Sequence, residues 1–311
     1  MLDGFLFHAP ILLLTLGPLF LLAGLGNGLR WYQKRRRVSP LSAGLLRSPG
    51  YSLSQQIIDK QLDLAFGLTL STLSLVIPYL LYVQGIAYDS SGIGVTGAVV
   101  LGLIFLAAAT GFTLVALSRL QRLRTGLEAE TAIGQALETI IPNGYRVFHD
   151  IDADGFNIDH IAVGPGGVYV IETKGRRKPL IAVGGRQTKG FKVIFEKNAL
   201  QFPGWRETAP LEQIRRNTKW VSNWLGQATG EPVFTTGVLA LPGWYIERKS
   251  APPPLLTNGK DIQSVINGRG RAPLPPAAIS RICHQLEQRV RVSDVNYFDR
   301  STTIKVAGRW A

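Results

Sequence analysis

The sequence predicts an α/β domain preceded by three transmembrane α-helices. Three observations lead there. Three apolar stretches are each long enough to cross a bilayer. Basic residues fall beside alternate ends of those stretches. From residue 121 onward, helical and strand patterns alternate, as they do in an α/β domain.

A bilayer core needs about 20 apolar residues in a helix. Residues of about 5–29, 62–83 and 93–117 meet that requirement, and between Leu64 and Leu117 the only charged residue is Asp89. The first stretch has no Lys or Arg before it and is longer than the apolar region of a signal peptide, so it reads as a retained anchor. Arg30, Lys34, Arg35, Arg36 and Arg37 follow the first stretch, and Arg47 and Lys60 complete that connector. Arg119, Arg122 and Arg124 follow the third, whereas the connector at 88–91 carries no basic residue. Basic loops stay on the cytoplasmic side. The expected topology therefore puts the N-terminus outside, the basic loop 30–61 inside, the 88–91 connector outside and everything after Arg119 inside. The expected location is a membrane, the bacterial inner membrane, with lipid contacted through the N-terminal helices. This accounts for part of the net charge of +13 without invoking nucleic acid.

Some chemistry is excluded at this level. Cys283 is the only cysteine, so neither an intrachain disulfide nor a Cys-rich zinc site can form. His8, His149, His160 and His284 are the only histidines, and no two of them are spaced as a His-x-x-x-His zinc pair. His149 and His160 read as structural.

Residues 121–311 read as one domain. Its first helix is expected to open at Thr125, because Thr125-Gly126-Leu127-Glu128 has the form of a capping box, which gives Glu128 a structural role. Glu130 falls in line with Leu127, Gly134, Leu137 and Ile141 at helical spacing, so a carboxylate stands on an apolar face. Strands are expected at 144–151, 157–163 and 168–174, with Gly164-Pro165-Gly166-Gly167 turning between the last two. Strand alternation puts Val168, Val170, Glu172 and Lys174 on one face and Tyr169, Ile171 and Thr173 on the other. Asp159 lies in the neighbouring strand. Two carboxylates offer hard oxygen ligands to a divalent cation, and a lysine beside them can stabilise charge on phosphate. Glu130 could add a third ligand. A strand is expected at 232–241, and helices near 262–266 and 276–292.

The run NIDHIAVGPGGVYVIETKG, preceded by GLEAETAIGQALETI and GYRVFHDI, resembles the nuclease-related domain (NERD) family, itself similar to the PD-(D/E)XK nuclease superfamily. The resemblance covers about 125–225, with a C-terminal extension beyond it. It implies an α+β restriction-endonuclease-like core, a mixed sheet flanked by helices. By that resemblance Asp159 matches the metal-binding Asp, Glu172 and Lys174 the Glu-x-Lys pair, and Glu130 the helix Glu. Gln213, in Ala209-Pro210-Leu211-Glu212-Gln213, matches a downstream Gln. The implied activity is metal-dependent hydrolysis of phosphodiester bonds with Mg²⁺ or Mn²⁺, on DNA before RNA. Arg176, Arg177, Lys178, Arg186, Lys189 and Lys192, interleaved with aromatics, are the expected nucleic-acid contacts. Two other readings stand beside this: an inactive nucleic-acid-binding or scaffolding module held at the membrane, and a transport or signalling protein with a regulatory nuclease-like fold.

Overall fold

The computed structural model describes residues 25, 45–87, 94–183, 186–251, 253–267 and 273–291. The chain divides into two units, Met1–Ser42 with Ile58–Leu120, and Ala43–Ile57 with Gln121–Ala311. The second unit thus takes in a piece of chain from before the apolar helices as well as everything after them.

Two helices are long and apolar enough to cross a membrane. One is α1 (Tyr51–Ala87), whose apolar stretch runs to Leu80, and the other is α2 (Val95–Glu138). In the first unit their large apolar side chains, including Leu62, Leu68, Leu75, Leu103 and Ile104, point outward. Their hydroxyls are satisfied within the helices: Thr69 donates to Ala65 O, Ser71 to Gly67 O and Thr113 to Ala109 O. An apolar surrounding requires that self-sufficiency. The helices meet where Phe66 packs edge-on against Phe112, 6.1 Å between centroids. Apart from Leu25, the expected first span at 5–29 lies outside the described residues, so two such helices are seen rather than three. The expected 88–91 connector lies outside them as well.

The expectation that a helix opens at Thr125 is overturned. Helix α2 runs unbroken from Val95 to Glu138, and the Thr125 hydroxyl donates back to Gln121 O, 3.0 Å away, instead of capping a helix start. A capping-box pattern has no function where the preceding turn already supplies carbonyl partners.

The second unit is mixed α/β with two mixed sheets. Strands β1 (Arg146–Asp152), β2 (Asn157–Gly164) and β3 (Gly167–Thr173) form an antiparallel meander. β4 (Leu180–Val183) and β5 (Arg186–Lys189) make a separate hairpin. β6 (Lys192–Glu196), β7 (Ala199–Phe202) and β8 (Trp205–Glu207) lead into helix α3 (Ala209–Thr229). β9 (Thr235–Ala240), β10 (Tyr245–Arg248), β11 (Leu255–Thr257), α4 (Ile262–Asn267) and α5 (Pro276–Val290) complete the unit. The larger sheet has the order β1-β2-β3-β9-β11, and β9 and β11 join in parallel. The smaller has the order β10-β6-β7-β8.

Strand alternation gives the larger sheet two buried faces. Val168 and Val170 pack with Ile161, Ile214, Val221 and Ile282, beneath α3 and α5. Tyr169 and Ile171 pack with Ile133, Leu137, Val238 and Ile266, beneath α2 and α4. Strand β3 is buried along its whole length, as a central strand covered on both sides must be.

Candidate active site

The site forms where β2 and β3 reach their common end. Their register places Ile161 against Val170 and His160 against Ile171, so Asp159 falls beside Glu172 one step further along. Two strand ends thereby bring two carboxylates together beneath α3. The Asp159 carboxylate accepts the Thr173 backbone N–H at 2.6 Å, where the ladder ends and that amide would otherwise lack a partner.

Glu172 is only 1% exposed. One of its oxygens accepts the Lys174 ammonium at 2.7 Å, and the other accepts the Asn217 side-chain amide at 2.8 Å. Lys174 and Glu172 thus project together, as alternation along the strand requires. Gly175 follows at once, and a Cβ there would come within 2.5 Å of Thr125 O and 3.0 Å of the Ala129 Cβ. The glycine lets α2 approach closely enough to bring Glu130 to the same end of the sheet. Gly134, one turn further along α2, is kept small by Pro49, which a Cβ would meet at 2.5 Å.

Glu130, Asp150, Asp159 and Phe156 line one cleft of about 480 Å³, together with Ser52, Leu53 and Gln56 from the start of α1. Burial, then the negative charges of Asp150 and Glu172, push the Glu130 pKa up to about 7, while Lys174 and the Gly50 N–H oppose the rise. Burial first, then Glu172 and Glu130, hold the Asp159 carboxyl well above its usual range. Burial also raises Glu172, against the pull of Lys174, Arg216 and Asn217. Glu172 therefore raises the proton affinity of both Glu130 and Asp159, Glu130 raises that of Asp159, and Lys174 opposes the rise at all three.

The donor chemistry suits a hard divalent cation, which takes carboxylate oxygens and often only one or two carboxylates with water. Asp159 and Glu172, with Glu130, are the residues that could hold one. Among the described residues, however, no three His, Cys, Asp or Glu side chains are arranged as a metal-holding group. Both Glu172 oxygens are already engaged by Lys174 and Asn217.

Asp150 is a carboxylate that the sequence pattern did not single out. It is 3% exposed and adopts a left-handed backbone with φ 52°. Its side chain accepts the Ser52 N–H (3.2 Å), the Ser52 hydroxyl (2.7 Å), the Asn157 amide (3.1 Å) and Arg47 (3.4 Å). It thereby caps α1 from across the unit. The segment 45–57, expected to belong to a basic loop, is in fact part of the wall of the cleft. A local polar signal was present in Asp150-Ile151-Asp152, but Ser52 and Arg47 lie about a hundred residues away in sequence.

Gln213 is half-buried and makes no hydrogen bond among the described residues. Asn217, one turn on, is the α3 residue that reaches Glu172, and its carbonyl oxygen is buried without a partner. Its position was legible: Leu211, Ile214, Val221 and Leu225 form the buried stripe of α3, and Asn217 is the polar residue within it.

The expected basic patch is partly neutralised. Arg176 makes a two-pronged ion pair with Glu207 (2.9 and 2.8 Å), and Arg177 donates to the Thr125 hydroxyl. Lys178 sits 5.7 Å from the centroid of the Trp244 ring, and Lys192 pairs with Glu247. Arg186 and Lys189 fall on β5, and their side chains lie outside the described residues. His160 is buried against His149, with their Nδ1 atoms 2.8 Å apart. Burial lowers the His149 pKa to about 4 and holds His160 well below its normal value.

No curated protein and no solved structure matches the chain. The model of the nuclease-related domain family (NERD) matches residues 125–242, and that match is consistent with a PD-(D/E)XK-like nuclease domain over that stretch.

Proposed function

We propose that the protein is a membrane-anchored, metal-dependent nuclease that hydrolyses phosphodiester bonds of DNA or RNA on the cytoplasmic side. The observation that carries this is the meeting of Asp159, Glu172 and Lys174 at one strand end, with Glu130 brought in by α2. Glu172 holds the Lys174 ammonium at the strand end beside Asp159, where it can stabilise negative charge developing on a phosphate oxygen. Asn217 fixes the other Glu172 oxygen and so orients the pair. Glu130, whose pKa lies near neutrality, can hold or release a proton at the working pH. Mg²⁺ or Mn²⁺ would be held by Asp159 and Glu172, with Glu130 nearby and not part of a shared three-carboxylate group, and would supply charge neutralisation at the phosphate and a more acidic water.

The two apolar helices support the membrane anchor, and the basic residues after the first and third apolar stretches, with none in the connector after the second, support a cytoplasmic domain. One observation favours a second reading, an inactive nucleic-acid-binding or scaffolding module. Glu172 already has a partner on each oxygen, which a purely structural ion pair would also have.

The decisive experiment is cleavage of DNA and RNA by the purified chain in detergent with Mg²⁺ or Mn²⁺. Glu172→Ala and Lys174→Ala should each abolish cutting while the Trp fluorescence of the fold is retained. Equal cutting by the wild type and both variants would refute the assignment. Binding without cutting, unaffected by Glu172→Ala, would favour the second reading.

A further inference from the structure

The acid cleft raises a problem for its expected substrate. A polyanion must approach Glu130, Asp150 and Asp159, and repulsion opposes that unless a fixed positive charge stands at the rim. The expected basic patch contributes less than its composition suggests, because Arg176 and Lys192 are paired with acids.

Arg216 differs from them. It is exposed on α3, next to the Asn217 that binds Glu172. Among the described residues it has no hydrogen bond or ion pair. Its guanidinium lies over the Phe156 ring, 5.2 Å from the centroid, and Phe156 lines the acid cleft. Its charge also reaches Glu172, where it opposes the rise in pKa that burial causes. Partly exposed rings continue from it: Phe156 packs edge-on against Trp220 at 5.9 Å, and Trp220 stacks on Trp224 at 5.6 Å. Trp220 and Trp224 recur at one-turn spacing from Arg216, so the three share a face of α3.

We propose that Arg216, held over Phe156 at the rim of the acid cleft, is a positioning residue that binds a phosphate of a nucleic-acid strand. The inference rests on the nuclease reading and deepens it. A guanidinium stacked on a ring has lost part of its freedom before the ligand arrives, and its planar fork matches phosphate oxygens. Arg289 already lies over the Trp220 and Trp224 rings, 5.0 and 5.1 Å from their centroids, so it is their partly exposed edges and that of Phe156 that adjoin Arg216. A strand meets both the guanidinium and these edges, where an isolated phosphate meets only the guanidinium.

The test uses the full chain in detergent and a short fluorescein-labelled single strand. Binding is followed by anisotropy across a salt series without divalent metal, and cleavage is followed with Mg²⁺. Arg216→Ala should bind about tenfold more weakly, with the slope of log affinity against log salt reduced by about one. KM should rise by about the same factor while kcat stays within about twofold. Arg216→Lys should recover part of the affinity, and Phe156→Ala should give a smaller loss than Arg216→Ala. Unchanged affinity and salt slope in Arg216→Ala would overturn the proposal, as would a collapse of kcat at constant KM. Wild type that binds but does not cut, with Arg216→Ala still weaker and flatter in salt, would refute the nuclease reading yet support this site.

Discussion

Replacing Asp150 tests whether Arg47 and the start of α1 are built into the second unit. The carboxylate is 3% exposed and receives Ser52 twice, Asn157 once and Arg47 once. Asp150→Ala removes the carboxylate from all of them at a stroke, and Arg47 keeps only its hydrogen bond to the Asp150 backbone carbonyl, 3.1 Å. Breaking a buried ion pair costs about 3–5 kcal/mol, and losing a helix cap about 1 kcal/mol. The Arg47 side chain is 18% exposed and its contact is 3.4 Å long, so water recovers part of that loss. The expected destabilisation is therefore about 2–4 kcal/mol. Asp150→Asn keeps an acceptor and loses the charge, for about 1–2 kcal/mol, and Ser52→Ala costs about 1 kcal/mol. Urea unfolding of the detergent-solubilised chain, followed by Trp fluorescence, measures the series, because Trp220 and Trp224 pack against the core that contains β1. If Asp150→Ala unfolds within about 0.5 kcal/mol of wild type, the clamp contributes no more than a surface contact and the reasoning fails.

Two further outcomes follow from the same geometry. The Glu130 pKa is raised from 4.5 to about 7 in the folded state, so the folded chain holds a proton that the unfolded chain has released. Without divalent metal, stability should fall as pH rises from about 4.5 to about 7 and then level off. Glu130→Gln should flatten that fall, and a parallel decline in both proteins would contradict it. Asn217→Ala strips the buried Glu172 of one partner and should cost about 1–3 kcal/mol in the same unfolding assay. It should also lower kcat, and full stability with full activity would show that Asn217 does not orient the pair.

Periodicity made much of the molecule legible. The meander β1–β3 lies within a residue or two of its expected bounds, because alternation and a Gly-rich turn are local signals. The pairing of Glu172 with Lys174 was legible for the same reason: two residues along a strand is one face. The helix bounds were less so. Nothing local to Thr125 reveals that the helix from Val95 has not ended there, since good helix formers fill the interval and the capping pattern is satisfied equally well by a continuing turn.

What the sequence by itself determined was therefore the two described apolar helices, the strand faces and the chemistry of the acid pair with its lysine, all properties of residues a few positions apart. Only the tertiary structure decided which distant groups complete the cleft. It placed Asn217 rather than Gln213 on Glu172, seated Arg216 over Phe156, and closed Ser52 and Arg47 onto Asp150. Those partners are tens to a hundred residues apart, and no local propensity specifies such pairings. They arise when two buried faces pack at once and each enclosed carboxylate must find donors or remain protonated.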